Sequence, residues 1–265
     1  MISMTNLLAE KKGLVFGVAN DRSIAWGMAR EMHQAGAKIA LNYQKEQLGK
    51  RVIPLGKQID SEIIVEADVL NPESLDKLFD EIDVKWGSLD FLVHAIAFSD
   101  KSELTGNFIN TSLENFLLSL NISCYSLIDL ARRSVPLMKS GGSIITLTFI
   151  GSNRVTPNYN VMGVAKAALE STVKYLANDL GKDGIRVNAI SPGPMKTLAG
   201  AAIGSARKTF RHTESNAPMG INSTLQHVGG TAVYLASDYG ASTTGEIIRV
   251  DGGFHILGMP QAENL

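Results

Sequence analysis

The segment Leu14-Val-Phe-Gly-Val-Ala-Asn-Asp-Arg-Ser-Ile-Ala-Trp-Gly27 joins a short apolar run to a helix-length segment through a glycine turn. The β-branched and aromatic residues before Gly17 predict a buried strand, and Ser23 is a residue type that commonly begins a helix. Gly17 permits close backbone approach to a pyrophosphate, and we expect Ser23 to cap a helix whose first N–H groups attract anions. The three-glycine dinucleotide signature is absent, so this pattern alone does not separate a nucleotide loop from an ordinary turn.

The same alternation of strand and helix continues along the chain. Seven short runs, apolar rather than alternating, predict a parallel sheet covered on both faces, and they are Leu14 to Gly17, Lys38 to Asn42, Ile63 to Ala67, Phe91 to His94, Ser143 to Thr148, Arg186 to Ile190 and Ile247 to Val250. Segments with helical periodicity lie between them, at Ser23 to Gln34, Glu73 to Trp86, Leu113 to Met138, Asn160 to Leu180 and Leu225 to Ala236. We therefore predict an α/β fold in which residues 1–265 form a single Rossmann domain, with a seven-stranded parallel sheet and helices on both faces.

Composition and charge exclude several classes of partner. The chain has 265 residues, 45% of them hydrophobic, and a formal net charge of −1, so it has no global field for nucleic acid or an anionic membrane. Cys124 is the only cysteine and is interpreted as a small packed residue, and the spacing of the five histidines matches no zinc pattern. Because no apolar run has the length of a signal peptide or a membrane span, we expect a soluble cytoplasmic protein without a metal site.

Two irregular segments, Phe98 to Asn110 and Pro192 to Pro218, each follow a predicted strand. Ligands in open α/β sheets bind outside the carboxyl ends of the strands. We therefore expect these segments to form the walls of a substrate site, with residues 192–218 acting as a lid.

Eight residues, Tyr159-Asn-Val-Met-Gly-Val-Ala-Lys166, place a phenol and an ammonium on one face of a predicted helix. Residues seven apart lie two turns apart, about 10 Å along the axis, so one group can meet a substrate while the other holds a cofactor. The commoner short-chain dehydrogenases place Lys four residues after Tyr, and this position here is Gly163. The stretch Pro157 to Ala167 closely resembles the type I bacterial enoyl-acyl-carrier-protein reductases of the short-chain dehydrogenase/reductase superfamily.

The resemblance runs over about residues 8–259 and implies an enzyme that uses NADH. The implied reaction is reduction of the trans-2 double bond of enoyl-acyl-carrier-protein thioesters, the final reductive step of bacterial fatty-acid elongation. Negative charge builds on the thioester oxygen as hydride reaches Cβ, and the resemblance implies that Tyr159 donates a hydrogen bond to that oxygen. It also implies that Lys166 bonds the nicotinamide ribose and favours the oxyanion.

Further residues match the family's cofactor positions. The first turn is similar to its Gly-Val-Ala…Ser-Ile-Ala-x-Gly pattern, and the neutral Gln44 is what NADH-using members carry after the second strand. Lys45 and Lys50 keep NADPH open as the alternative, although both also suit a solvated helix face. The cofactor contacts implied by the resemblance are Gly17, Ser23, Ile24, Gln44, Asp68, Val69, Ile96, Lys166, Met195 and Thr197.

The substrate contacts implied by the resemblance are Ala97, Phe98, Phe149, Tyr159 and Met162. The chain departs from many members at Phe149, where they carry a second Tyr; a phenyl ring can flank the nicotinamide or the acyl chain but cannot donate a hydrogen bond. Ketone-reducing relatives carry Ser at the position of Thr146, which keeps a carbonyl-reducing dehydrogenase open as an alternative. His94 is interpreted as a core histidine, and Asn121 as a candidate water-mediated support for Lys166.

The remaining expectations concern partners. The small apolar stretch Leu198 to Ile203 suits a lid over a fatty acyl chain, and the basic residues Arg207, Lys208 and Arg211 are candidates for docking an acidic acyl carrier protein. A solvated helix face explains the basic residues equally well. The family habit is a homotetramer. A catalytically silent dinucleotide-binding sensor on the same fold is a further alternative, and the retention of Tyr159 and Lys166 argues against it.

Overall fold

A computed structural model describes residues 6–197 and 206–264 of the chain. Within them, seven parallel strands form one sheet in the order β3-β2-β1-β4-β5-β6-β7. The strands are β1 (Lys12–Phe16), β2 (Lys38–Tyr43), β3 (Ile64–Glu66), β4 (Phe91–His94), β5 (Gly142–Leu147), β6 (Ile185–Pro192) and β7 (Ile247–Val250). The predicted α/β Rossmann fold is confirmed, and each of the seven predicted runs lies within two residues of an observed strand at either end.

Helices cover both faces of the sheet, as predicted. Among the described residues they are α1 (Ile24–Gln34), α2 (Glu46–Lys57), α3 (Pro72–Trp86), α4 (Leu113–Leu120), α5 (Ser126–Ser134), α6 (Asn160–Leu180), α7 (Ala206–Asn216) and α8 (Leu225–Ala236). The buried side chains of α1, α2 and α8 form one hydrophobic core, and those of α3, α5 and α6 form the other. No helix in the described part of the chain is long and apolar enough to cross a membrane.

Helix α2 is absent from the sequence-based prediction because glycines and Pro54 interrupt its pattern. The structure gives two of these glycines a packing role. A Cβ added at Gly49 would lie 2.9 Å from the Tyr43 ring, and one added at Gly56 would lie 2.4 Å from Ile64. The missing side chains therefore let α2 approach the edge of the sheet closely.

The predicted helix from Leu113 to Met138 is interrupted in the structure. One turn of π-helix, Asn121–Tyr125, separates α4 from α5, and a 3-10 turn follows α5. Pro136 in that turn has no N–H to donate, which accounts for the early end of the regular helix. Asn121 is exposed at the start of the π turn, a type of irregularity that is frequent near functional sites.

The order of the strands creates a crevice between β1 and β4. The chain leaves β1 towards β2 and leaves β4 towards β5, on opposite sides, so the connections diverge above the carboxyl ends of these two strands. Gly17 follows β1 with φ +103°, and a Cβ there would lie only 2.1 Å from the Ala95 carbonyl oxygen after β4. Glycine is therefore required where the loop crosses the crevice.

Candidate active site

Tyr159 lies at the N-terminus of α6, in a small hydrophobic cluster with Leu104, Val161 and Met162. Its neighbours Asn158 and Asn160 both adopt left-handed backbone, with φ values of 60° and 34°. Asn tolerates this conformation better than most residues with a side chain. Tyr159 is 8% exposed, and burial raises the pKa of its phenol above the ordinary value. The phenol therefore keeps its proton through the neutral range and can act as a hydrogen-bond donor.

Two glycines fix the place of the Tyr159 ring. A Cβ added at Gly151 would lie 2.5 Å from the ring, so the backbone of residue 151 packs directly against it. A Cβ added at Gly163 would in turn lie 2.8 Å from the Gly151 carbonyl oxygen. The position where the commoner short-chain dehydrogenases carry Lys is thus closed by backbone, which gives a physical reason for the longer spacing between Tyr159 and Lys166.

Phe149 also contacts the Tyr159 ring. The two ring centroids are 5.2 Å apart with an interplanar angle of 64°, an edge-on contact. Phe149 is partly buried and packs against the small hydrophobic cluster that contains Tyr159. Its phenyl ring therefore helps to form the wall around Tyr159.

Lys166 lies two turns further along α6 and is 4% exposed. Its Nζ donates a hydrogen bond of 2.7 Å to the Leu147 carbonyl oxygen at the end of β5. Burial lowers the pKa of Lys166 to about 8, while the Cys124 thiol and the Glu170 carboxylate act in the opposite direction. Lys166 is therefore an internal cation and not a solvated surface lysine.

Glu170 is a site residue that the sequence analysis does not single out. Its Oε1 accepts hydrogen bonds from the hydroxyls of Thr148 at 2.7 Å and of Ser152 at 2.5 Å. The available signal was an acidic residue four positions after Lys166, on the same face of the helix. The bonds to Thr148 and Ser152 depend on the tertiary fold, so sequence periodicity does not predict them.

His94 and Thr146 lie inside the protein rather than in the crevice. Both are 0% exposed; His94 Nδ1 is 2.8 Å from Thr146 Oγ1, and its Nε2 is 2.8 Å from Ser126 Oγ. Ser126 donates to the Ile122 carbonyl, so its oxygen accepts from Nε2–H. The Thr146 hydroxyl also lies 3.1 Å from the His94 carbonyl oxygen, to which it donates. Burial, followed by the charge of Lys166, lowers the pKa of His94 to about 3. His94 is a core residue as expected, and Thr146 does not offer a hydroxyl to a substrate.

The first turn of the crevice differs from the sequence-based expectation in one respect. Ser23 precedes α1, but its hydroxyl makes no capping bond to the helix. It instead accepts from the backbone N–H groups of Ala19 at 3.0 Å and Asn20 at 3.1 Å. Ser23 therefore shapes the loop after Gly17, and its side chain does not occupy the first N–H groups of the helix. The partly buried Ile24 begins α1 at this point.

Gln44 and Asp68 meet at the far end of the crevice, beyond β2 and β3. The exposed Gln44 amide donates to Asp68 Oδ2 at 2.9 Å, and Asp68 Oδ1 accepts from the Leu70 N–H at 2.9 Å. Val69 is partly buried beside them. The structure therefore brings together three of the residues predicted to contact the cofactor.

The other predicted substrate residues lie on the segment after β4 and on α6. Ala97 and Phe98 follow β4 and are exposed, with Ile96 partly buried before them, and Met162 is 5% exposed one turn after Tyr159. Asn160 ties the segment after β4 to this end of α6, since its amide donates to the carbonyls of Glu103 at 3.1 Å and Gly106 at 3.3 Å.

The segment after β6 carries two more of the predicted cofactor residues, Met195 and Thr197. Met195 packs against the core beside α1, and the Thr197 N–H donates to the Met195 carbonyl at 2.9 Å. The expected apolar lid stretch, Leu198 to Ile203, lies outside the described residues. Where the description resumes, α7 carries Arg207, Lys208 and Arg211, all three of them exposed.

Comparisons with known proteins agree with this geometry. A model of the enoyl-(acyl carrier protein) reductase family matches residues 17–255. The NADH enoyl-[acyl-carrier-protein] reductase FabI of Rickettsia felis is 53% identical over 96% of this chain and 98% of the relative. The reductase structure of Anaplasma phagocytophilum in complex with NAD is 51% identical, with a TM-score of 0.94 over 97% of this chain and 98% of that one.

A third similar protein is the Bacillus cereus enoyl-acyl carrier protein reductase, solved with NADP+ and an indole naphthyridinone. It is 47% identical, with a TM-score of 0.94 over 96% of this chain and 100% of that one. Both the family model and these identities extend over nearly the whole chain. The chain therefore belongs to the enoyl-(acyl carrier protein) reductase family.

Proposed function

We propose that this protein uses NADH to reduce the trans-2 double bond of enoyl-acyl-carrier-protein thioesters, the final reductive step of bacterial fatty-acid elongation. The observation that carries the proposal is the buried pair on α6, a phenol that keeps its proton and an ammonium seven residues later. The relatives named as NADH-dependent enoyl reductases support the same reaction.

Tyr159 and Lys166 perform distinct tasks in this proposal. NADH, when bound, supplies the hydride that reaches Cβ of the substrate. The Tyr159 O–H donates to the thioester oxygen as enolate charge develops there, and the Lys166 ammonium favours the same charge while holding the nicotinamide ribose. Because both side chains are buried, water competes little with these interactions.

The described residues fit a dinucleotide in the crevice between β1 and β4. The first N–H groups of α1 face the turn at Gly17 without a Ser23 cap and suit a pyrophosphate. We assign the adenosine end to Gln44, Asp68 and Val69, the nicotinamide end to Ile96, Lys166 and Met195, and the pyrophosphate to Thr197. Ser23 and Ile24 complete the pyrophosphate turn.

Gln44 favours NADH over NADPH, since it presents no positive charge to a 2′-phosphate. Lys50 lies 3.6 Å from the Glu46 carboxylate on α2, which supports its role on a solvated helix face. Measurement of kcat/KM with each cofactor tests the choice. A preference for NADPH would overturn it and would point to Lys45.

The test of the reaction itself is NADH oxidation with a trans-2-enoyl thioester, in parallel with a β-ketoacyl thioester and each cofactor. We expect turnover with the enoyl substrate. Turnover with the keto substrate alone would favour the carbonyl-reducing alternative, although the burial of Thr146 opposes it. Binding of NADH without turnover of either substrate would favour a sensor.

We further propose that an acyl carrier protein docks on the exposed basic residues of α7, Arg207, Lys208 and Arg211. Their positive charge complements an acidic carrier. Reversal of charge at Arg207 and Lys208 should raise KM for an acyl-carrier substrate and leave KM for an acyl-CoA unchanged. Reversal at Lys57 and Lys77, exposed on α2 and α3, is the matched control. Equal effects on both substrates would contradict the docking site.

Residues 192–218 are proposed to act as a substrate lid within a single domain of residues 1–265. The small apolar side chains from Leu198 to Ile203, which suit a cover over a fatty acyl chain, support this assignment. Protection of this segment from limited proteolysis by NADH and an acyl thioester together would be the expected result. An unchanged cleavage pattern would contradict a lid.

A homotetramer and a cytoplasmic location complete the proposal. The faces of α4 and α6 and the π turn expose large apolar side chains, with Leu117 58%, Tyr125 50% and Tyr175 72% exposed, which supports contacts between subunits. Light scattering should give the mass of four 28.5 kDa chains. Cell fractionation tests the location.

A further inference from the structure

Glu170 is a carboxylate in an unusual position, one turn beyond Lys166 on α6 and with a side chain only 15% exposed. Burial of a carboxylate is unfavourable unless hydrogen bonds or a cation compensate for the lost water. Two hydroxyls donate to the same oxygen, from Thr148 at 2.7 Å and from Ser152 at 2.5 Å. Arg249 Nη1 is 4.0 Å from that oxygen and also donates to Ser191 Oγ at 2.9 Å.

The two hydroxyls bracket the short segment that contacts Tyr159. Between Thr148 and Ser152 lie Phe149, which makes the edge-on ring contact, and Gly151, whose backbone packs on the Tyr159 ring. Glu170 therefore fastens this segment to the same helix that carries Tyr159. Without the two hydrogen bonds to Glu170, Phe149 and Gly151 would no longer be held against the Tyr159 ring.

The Glu170 carboxylate also belongs to the charged surroundings of Lys166. The groups that face Lys166 are Cys124 from the π turn, the neutral His94 from β4, the Leu147 carbonyl from β5 and Glu170 from α6 itself. Among the described residues, Glu170 is the only carboxylate in this group. Arg249, from β7, opposes part of its charge.

We propose that Glu170 is a positioning residue for the reaction: it holds residues 148–152 against Tyr159 and places a negative charge one helical turn from Lys166. The inference rests on the proposed roles of Tyr159 and Lys166. It assigns Glu170 two separable effects, one on the geometry of the phenol and one on the protonation of the lysine.

Glu170→Gln separates the charge from the geometry, because the amide oxygen still accepts from both hydroxyls. Loss of the negative charge lowers the pKa of Lys166, so the alkaline fall of kcat/KM should move by about one unit to lower pH. Asp179→Asn is the matched control, since it removes one negative charge from an exposed position of α6. We expect no displacement of its pH profile.

Thr148→Val with Ser152→Ala tests the geometry while the carboxylate remains. We expect kcat to fall about tenfold with the alkaline limb unmoved and with KM for NADH near the wild-type value, as a misplaced donor predicts. This variant also decides the question if Glu170→Gln fails to fold. Wild-type kcat in the hydroxyl variant would contradict the positioning role.

The outcomes separate this inference from the function on which it rests. A wild-type enzyme that fails to reduce the enoyl substrate would contradict the function. A wild-type enzyme that reduces it, together with a pH profile of Glu170→Gln identical to those of wild type and Asp179→Asn, would contradict the proposed charge effect alone.

Discussion

The two ends of the crevice differ in how strongly burial within the protein sets the properties of their side chains. At the α6 end, Tyr159 and Lys166 are 8% and 4% exposed, and burial shifts the pKa of each. At the adenosine end, Gln44 is exposed and bonds to Asp68. The chemistry of the first pair is therefore set by the fold, whereas the residues of the second end act mainly through direct contact with a ligand. Substitutions at the α6 end should change kcat, and substitutions at the other end should change KM for the cofactor.

Lys166→Met should have the largest effect after loss of the phenol. It removes the buried cation but keeps an apolar side chain of similar length. We expect kcat/KM to fall by about 10²-fold or more, as for loss of one transition-state electrostatic contact. Stopped-flow or steady-state NADH oxidation measures it. If kcat/KM fell only because KM for NADH rose, Lys166 would act in binding alone, and the proposed difference between the two ends of the crevice would be contradicted.

Gly163→Ala tests whether backbone packing sets the place of Tyr159. The new Cβ would lie 2.8 Å from the Gly151 carbonyl oxygen, so this segment must move against the Tyr159 ring. We expect a loss of about 1–3 kcal/mol in the free energy of unfolding and a fall in kcat. Gly230→Ala on α8, where an added Cβ meets nothing within 4 Å, is the control and should retain both values.

Gln44→Ala tests the adenosine end of the crevice. Loss of one hydrogen-bonding side chain at an exposed site should raise KM for NADH by about three- to tenfold, with kcat unchanged. Gln47→Ala, exposed at the start of α2, is the control. A large change in kcat for Gln44→Ala would show that the adenosine end also shapes the chemistry.

The last prediction concerns stability in acid rather than activity. Folded His94 has a pKa of about 3 against 6.5 for the ordinary side chain, so the unfolded chain alone binds this proton as pH falls from 6.5 to 3. Above pH 6.5 the neutral, buried His94 stabilises the folded protein in full. As pH falls from 6.5 to 3, this group lowers the free energy of unfolding by at most about 1.4 kcal/mol per pH unit. Denaturant unfolding should therefore show a shallower acid dependence in His94→Gln. Parallel curves for the two proteins would contradict a neutral buried imidazole.

Local sequence patterns predict the sheet well because each buried parallel strand is a short apolar run, and Phe91–His94 and Ile247–Val250 are predicted to the residue. They also predict that Tyr159 and Lys166 lie two helical turns apart, because this spacing depends on a single helix. Patterns fail where distant segments decide the outcome: the glycines of α2 pack on the sheet, Ser23 turns to its own loop, and Glu170 gains partners from the segment after β5. The roles assigned to the site residues stay predictions until variants are measured.

The central claim is that the buried phenol of Tyr159 provides the donor for enoyl reduction. Its direct test is single-turnover NADH oxidation by wild type and Tyr159→Phe on a trans-2-enoyl thioester, with NADH affinity measured on both. We expect that the variant binds NADH as wild type does and loses about 10²-fold or more in rate. A variant that reduces the enoyl substrate at the wild-type rate would contradict it.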